Sequence, residues 1–217
     1  MLAAPLVYIA LVWDRIPERM PVHFDAAFHP NGWMRKPWGP LLLPLAPFFV
    51  ITVASVFFHF DPKMAKCDAE TRENVKRVLR RVMFTISLFL GACSVTLIWA
   101  AWGRMDPLKN TIIYGLPLVM MVTGNSLGKL RPNYTIGIRL PWTLESPVVW
   151  TRTHRFAGRV LVGICLGLLL LAASGWWRDQ YPWIAVAALL TWGFIAVVYA
   201  FVISRQEHRS PSVAGPA

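Results

Sequence analysis

Five stretches of this chain are apolar around the whole circumference of a helix, and no other feature restricts its fold as much. They cover residues 41–58, 82–102, 111–128, 160–177 and 181–204. A helix in water mixes polar and apolar residues at a 3.6-residue period, because it buries only one face. A run of about 20 apolar residues instead matches the hydrocarbon core of a bilayer. Charges gather between the runs, and only 15% of the chain is charged, against about 25% in a globular domain. The stretch 82–102 holds no charge, whereas 111–128 is weaker, broken by Gly115, Pro117, Gly124 and Asn125. A sixth run, 2–13, is too short to cross comfortably. Either it tilts and thins the bilayer or it belongs to a longer helix that begins upstream of Met1, and the second is expected. No positive leader with a small-residue cleavage site is evident.

The net charge of +11 fits a membrane protein better than a nucleic-acid binder, because cytoplasmic loops collect Lys and Arg. With six spans, alternate polar segments hold fifteen Lys and Arg against seven. Both termini are therefore expected in the cytoplasm, with the first, third and fifth loops outside. Trp38, Trp99, Trp102, Tyr114, Trp176, Trp177, Tyr181 and Trp183 fall near the expected outer ends, where amphipathic rings favour the headgroup layer. Cys67, Cys93 and Cys165 lack metal-site spacing and read as small hydrophobes. The segment 68–81 reads as a helix running into the next span. Glu73 supports Arg77 four residues on, and Arg72, Lys76 and Arg80 share one face suited to anionic lipid.

Two loops carry more information than topology demands. The outward loop 16–36 holds Pro17 and Pro21, a possible short strand at Val22-His23-Phe24, and a turn signal at Pro30-Asn31-Gly32. Trp33 could then pair back across a small hairpin. His23, Asp25 and His29 match no specific metal-site spacing and are read as closing that hairpin.

The cytoplasmic loop 123–155 holds Asn125 at the edge of the fourth span, where a polar side chain needs a partner. Gly124 and Gly128 form a small-xxx-small pair, as do Gly163 and Gly167, so these two spans are expected to pack through them. Ser146-Pro147 is a helix start, with an N-cap hydroxyl and proline at N1. That helix sets Trp150 and His154 on one face, four residues apart. Arg139, Trp142, Tyr134 and His154 suit either an anion or peptide pocket or an interfacial structural loop. The chain has no Gly-x-Ser-x-Gly, no His-Glu-x-x-His and no phosphate loop. It is expected to be no enzyme and to need no cofactor or metal.

Both loops resemble the SdpI family of bacterial membrane proteins. The outward stretch keeps Pro17, Pro21, His23, Phe24, Trp33 and Lys36 of the family pattern. The cytoplasmic stretch keeps Gly124-Asn125, Pro132-Asn133, Gly137-Ile138-Arg139, Pro141-Trp142-Thr143-Leu144, Val149-Trp150 and Thr153-His154. Asp25 stands where Asn is usual, and Phe28 and Asn31 replace Gly and Asp. The resemblance implies an immunity and signal-transducing protein of the bacterial cell membrane. Such a protein would meet a secreted antimicrobial peptide outside and hold a winged-helix repressor inside, without itself binding nucleic acid.

The expectation is thus an all-α integral membrane bundle of about six transmembrane helices, with a small outward hairpin-like cap and a structured cytoplasmic loop. Residues 1–40 form the first helix and cap, 41–204 a five-helix domain, and 205–217 a disordered tail. The expected ligand- or partner-binding residues are His23, Asp25, Asn31 and Trp33 in the cap. On the cytoplasmic side they are Asn125, Asn133, Arg139, Trp142, Thr143, Trp150 and His154. A small transporter is the alternative, since glycine and proline interrupt the fourth span. A membrane enzyme acting on a phosphorylated lipid is the weakest reading, for want of acid–base residues.

Overall fold

The computed structural model describes residues 3–176 and 180–209. Four of its helices are long and apolar enough to cross a membrane: α2 (Trp38–His59), α4 (Ala69–Ala101), α7 (Pro147–Ser174) and α8 (Tyr181–Arg209). Two further helices occupy the places of the other expected spans. Helix α5 (Asp106–Leu127) has 22 residues, but Asp106, Lys109, Asn110 and Asn125 dilute its hydropathy. Helix α1 (Ala3–Leu11) has nine residues and rises only about 13 Å. The structure therefore gives four span-capable helices where the sequence suggested about six. Short helices α3 (Pro62–Ala65) and α6 (Pro141–Glu145) sit in connections.

Helix α4 is the central column. It packs against α1, α2 and α5; α5 packs on α7, and α7 on α8. Its 33 residues rise about 50 Å, well beyond the roughly 30 Å hydrocarbon core. The charged first turns, 69–81, therefore project beyond the apolar part. Asp68 caps this helix through the Thr71 amide at 2.7 Å. Glu73 pairs with Arg80 at 2.6 Å rather than with Arg77 as expected. Arg72 instead donates to the carbonyls of Met64 and Ala65, closing α3.

Helices α5 and α7 do pack through glycine: the expected pair Gly124 and Gly128 at the end of α5 lies in the contact, but on α7 it meets Gly158 and Arg155 rather than Gly163 and Gly167. A Cβ on Gly158 would lie 2.4 Å from the Gly124 carbonyl oxygen, and one on Gly128 would lie 3.2 Å from the Arg155 Cγ. Gly163 and Gly167 have nothing within 4 Å of such an atom; they are exposed on α7. Small-residue spacing identifies a narrow face, whereas the buried side of α7 is set by Trp150, His154, Ala157, Leu161 and Cys165.

The cap is a two-stranded antiparallel sheet of β1 (Arg19–Phe24) and β2 (Pro30–Arg35). Met20 faces Met34 and Pro21 faces Trp33, and the register shifts between Pro21 and His23. Pro30-Asn31-Gly32 lies within β2, so the turn falls earlier than its composition suggested. Asp25 makes the turn by accepting from the amides of Ala27 at 2.9 Å and His29 at 2.8 Å, with Phe28 at φ 62°. Gly32 is needed in the sheet because a Cβ there would come within 2.9 Å of the His23 Cβ.

Met20 and Ile16 are buried with Ile9, Leu97, Ile98 and Leu108, so the cap has a core in common with α1 and the end of α4. Trp102 Nε1 donates to the Arg15 carbonyl at 2.9 Å, and Lys36 Nζ to that of Trp13 at 2.8 Å. At the other end of the bundle lies the connection 128–146, with the start of α7 and the end of α8. Helix α8 continues to Arg209, past the expected start of a tail at residue 205. Residues 210–217 of that tail and Trp177 of the aromatic belt lie outside the described residues.

Candidate functional site: a strap locked over the start of α7

The connection 128–146 has little regular structure, so its backbone polar groups need partners of other kinds. They find them in a small set of side chains. Asn133, fully buried, accepts from the amides of Thr135 at 2.9 Å and Ile136 at 2.7 Å, and donates to the Arg131 carbonyl at 2.8 Å. The chain thus turns on one amide side chain, as Asn commonly does in loops. Thr143, also fully buried, accepts from the Leu140 amide at 2.9 Å, and its hydroxyl lies 2.8 Å from the Ile138 carbonyl oxygen. That closes the first turn of α6. The Arg139 guanidinium donates to the Tyr134 carbonyl.

The floor under this strap is the first turns of α7. Ser146 caps the helix by accepting from the Val149 amide at 3.2 Å, with Pro147 in the first turn, as the Ser-Pro signal implied. Trp150 and His154 stack with centroids 3.9 Å apart and are fully buried. Trp150 Nε1 donates to the Leu130 carbonyl at 2.9 Å. His154 Nε2 accepts from the Ile138 amide at 2.9 Å, while Nδ1 lies 2.8 Å from the Trp150 carbonyl. A carbonyl only accepts, so Nδ1 carries the proton and the ring is the neutral Nδ1–H tautomer. Gly137 passes over this pair at φ +130°, where a Cβ would lie 2.6 Å from His154 Nε2. Only glycine fits such a conformation at such a distance.

A residue from a distant loop fastens the strap from the side. Asp61 is 3% exposed. Its Oδ1 accepts from the amides of Lys63 at 2.9 Å and Met64 at 3.3 Å. Its Oδ2 accepts from the Tyr134 amide at 2.6 Å and the Thr135 hydroxyl at 2.9 Å. Lys63 donates to the Leu144 carbonyl and lies over the Tyr134 ring at 5.1 Å. Asp61-Pro62 carries the same cap-then-proline signal as Ser146-Pro147, so its role at α3 was legible. Its hold on residues 134 and 135 has no local signature.

The far side of the strap meets α8. Trp142 sits edge-on to Phe201 at 5.8 Å, and the Ser146 hydroxyl donates to Glu207 at 2.8 Å. Among the described residues, Trp142 Nε1 and Glu207 Oε2 are both buried without a hydrogen-bond partner. Asn133, Arg139, Trp142, Thr143, Trp150 and His154 thus come together as one unit, to which the sequence reading lacked Asp61, Lys63 and Gly137. Asn125 does not join it. That side chain is exposed on α5, because Gly124, Ser126 and Leu127 take the buried face, and it does not find the bundle partner expected of it.

The four cap residues lie at the opposite end. His23 Nδ1 and Asn31 Oδ1 are joined across the sheet, and Trp33 is exposed. Asp25 is held below the usual carboxylate range, first by the His29 amide, then by that of Ala27 and by the nearby imidazole.

A bundle of apolar helices with a folded unit at each end defines a helical membrane protein, and the comparisons with known proteins refine that class. Residues 129–203, which take in most of the strap, all of α7 and all but the last six residues of α8, match the SdpI/YfhL protein family. Residues 1–46 match a separate model, a domain of unknown function (DUF1648). The chain is 26% identical over 164 residues to the immunity protein SdpI of Bacillus subtilis (strain 168), covering 76% of this chain and 73% of that protein. The likeness expected from the strap motifs is thereby borne out. No solved structure matches.

Proposed function

We propose that this chain is a bacterial membrane immunity protein that also carries a signal across the bilayer. The observation that carries this reading is the interlocked strap: the residues of the family-matched motif are spent on one another and on Asp61, not on an open catalytic cleft. Both ring nitrogens of His154 are engaged, which suits a non-enzymatic part. In this reading the strap faces the cytoplasm, where the Lys and Arg excess lies, and both termini are inside. The hairpin, with His23, Asp25, Asn31 and Trp33, faces outward and meets a secreted amphipathic peptide. Trp142 and Arg139, at the strap's outer rim, serve a soluble repressor.

Coupling needs an element that both ligands bias. Helix α4 is suited to that role: its end packs under the hairpin, and its start packs with Trp150 and Leu130. The test is survival of a sensitive bacterium expressing this chain and challenged with a secreted amphipathic antimicrobial peptide. Wild type is expected to protect; Trp33→Ala with Asn31→Ala is expected to lose protection at equal protein level. Trp142→Ala is expected to keep protection and lose recruitment of the repressor to membranes. Absence of protection by the wild-type chain against every such peptide tried would overturn the reading.

A further inference from the structure

Five Lys and Arg side chains at the junction of α4, α5 and α7 are not used by the strap. Asn74, Arg77, Val78 and Arg81 form a stripe on α4 at the i, i+3, i+4, i+7 spacing of one helix face. They line a cavity of about 440 Å³ together with Gly128, Lys129, Leu130 and Arg131, which follow α5 at the start of the connection, and Thr151 and Arg155 from α7. Five of these ten residues are cationic and none is acidic. Among the described residues no side-chain hydrogen bond or ion pair engages Arg77, Arg81, Lys129, Arg131 or Arg155. Glu73, one turn before Arg77 on α4, forms its ion pair with Arg80 and feels the Arg77 charge only as a weaker influence.

The neighbouring basic stripe is a useful contrast. Arg72, Lys76 and Arg80 line a different cavity, against α2, and there Arg72 and Arg80 are held by carbonyls and by Glu73. Helix dipoles do not account for the unpaired set either. Cations are favoured at a helix C-terminus within its last turn, which suits Lys129 beside the end of α5. Arg77 and Arg81 lie early in α4, where that field opposes them or has faded. Arg155 is placed by packing: its stem lies against Gly128, where a Cβ would come within 3.2 Å. Three elements thus bring five exposed like charges to the wall of one cavity, where a bound anion would offset their mutual repulsion.

We propose that this cavity binds a phosphate-bearing anion. Guanidinium forks match the paired oxygens of phosphate, and Asn74 and Thr151 add neutral hydrogen-bonding groups to the wall. The position suits a phospholipid headgroup, because Arg81 directly precedes the uncharged run 82–102 and Arg155 lies five residues before the apolar run of α7 that starts at Val160. A soluble phosphate compound would present the same chemistry. The inference stands independently of the immunity reading.

The test uses the full-length protein in two arms. In the first, it is placed in nanodiscs containing phosphatidylglycerol among zwitterionic lipid, and lipid retained after transfer to detergent is counted by native mass spectrometry. In the second, pyrophosphate is titrated calorimetrically into protein in uncharged detergent. Wild type and Arg152→Gln, whose exposed side chain lies outside the cavity, are expected to bind alike. Arg77→Gln with Arg155→Gln is expected to weaken binding at least about tenfold. Should that pair fail to fold, Lys129→Gln with Arg131→Gln gives the same reading from the loop side.

Lipid retention without pyrophosphate binding identifies a headgroup site, and the converse a soluble phosphate site; both support the proposal. Binding of neither anion, or equal binding by wild type and the cavity variants, overturns it.

Discussion

Asp61 is a single carboxylate on which two separate parts of the chain depend. It serves four donors, two in α3 and two in the strap. Truncation to alanine leaves amides at 63, 64 and 134 without their acceptor in a site that is almost fully buried. An unmade hydrogen bond costs more there than a made one contributes, because the group has already lost water. Asp61→Ala is expected to destabilise by about 2–4 kcal/mol, read by unfolding in mixed detergent micelles. An effect near zero would mean the strap is held by other contacts. Gly137 offers a second single-residue test. Gly137→Ala places a methyl where His154 and Trp150 already sit and forces a left-handed backbone conformation. The expected loss is about 1–3 kcal/mol, with Trp150 fluorescence shifting toward that of a wetter ring. Asp25 gives a pH-dependent test at the other end. Its carboxyl is held below 3.8, so its contribution to the turn is present above the unfolded value and is lost as pH falls through the lower, folded one. An NMR titration is expected to place its midpoint below 3.8, with the Ala27 and His29 amides moving in step. A midpoint at or above that value contradicts the turn described.

At the scale of elements, the contact between α5 and α7 decides whether the strap has a fixed floor. Gly158→Ala drives a methyl into the Gly124 carbonyl and must spread the two helices, at an expected cost of about 1–3 kcal/mol. Gly163→Ala and Gly167→Ala meet open space. They are expected to be neutral or to stabilise by up to about 1 kcal/mol, through helix propensity alone. The opposite ranking in the same unfolding assay would reinstate the pairing read from spacing.

These two glycine sets show what was legible and what was not. Apolar runs long enough for a bilayer identified α2, α4, α7 and α8, and the Ser146-Pro147 signal fixed the start of α7. Both features are local. Which face of α7 is buried depends on a helix some thirty residues earlier in the chain, and Asp61 reaches its strap partners across more than seventy residues. No window along the sequence holds such information. The hairpin was legible as a hairpin but its turn was not. Pro30-Asn31-Gly32 has turn composition, yet the Asp25 carboxylate captures the backbone first, and Gly32 is required for close approach to His23.

The whole molecule places a small sheet at one end of an apolar bundle and a hydrogen-bonded strap at the other, joined by the central helix α4. The proposed role in immunity and signalling needs the two on opposite faces of the membrane. The cysteines give a direct handle, because Cys93 and Cys165 are buried while Cys67 lies partly exposed in the loop before α4, at the strap end. Trp33, exposed in the hairpin, marks the other end. The decisive measurement is labelling by a membrane-impermeant maleimide of the wild-type chain and of Trp33→Cys, in intact cells and in inverted membrane vesicles. The account predicts that intact cells label position 33 and leave Cys67 untouched, and that inverted vesicles label Cys67 and spare position 33. Labelling of both positions from the same side would contradict it.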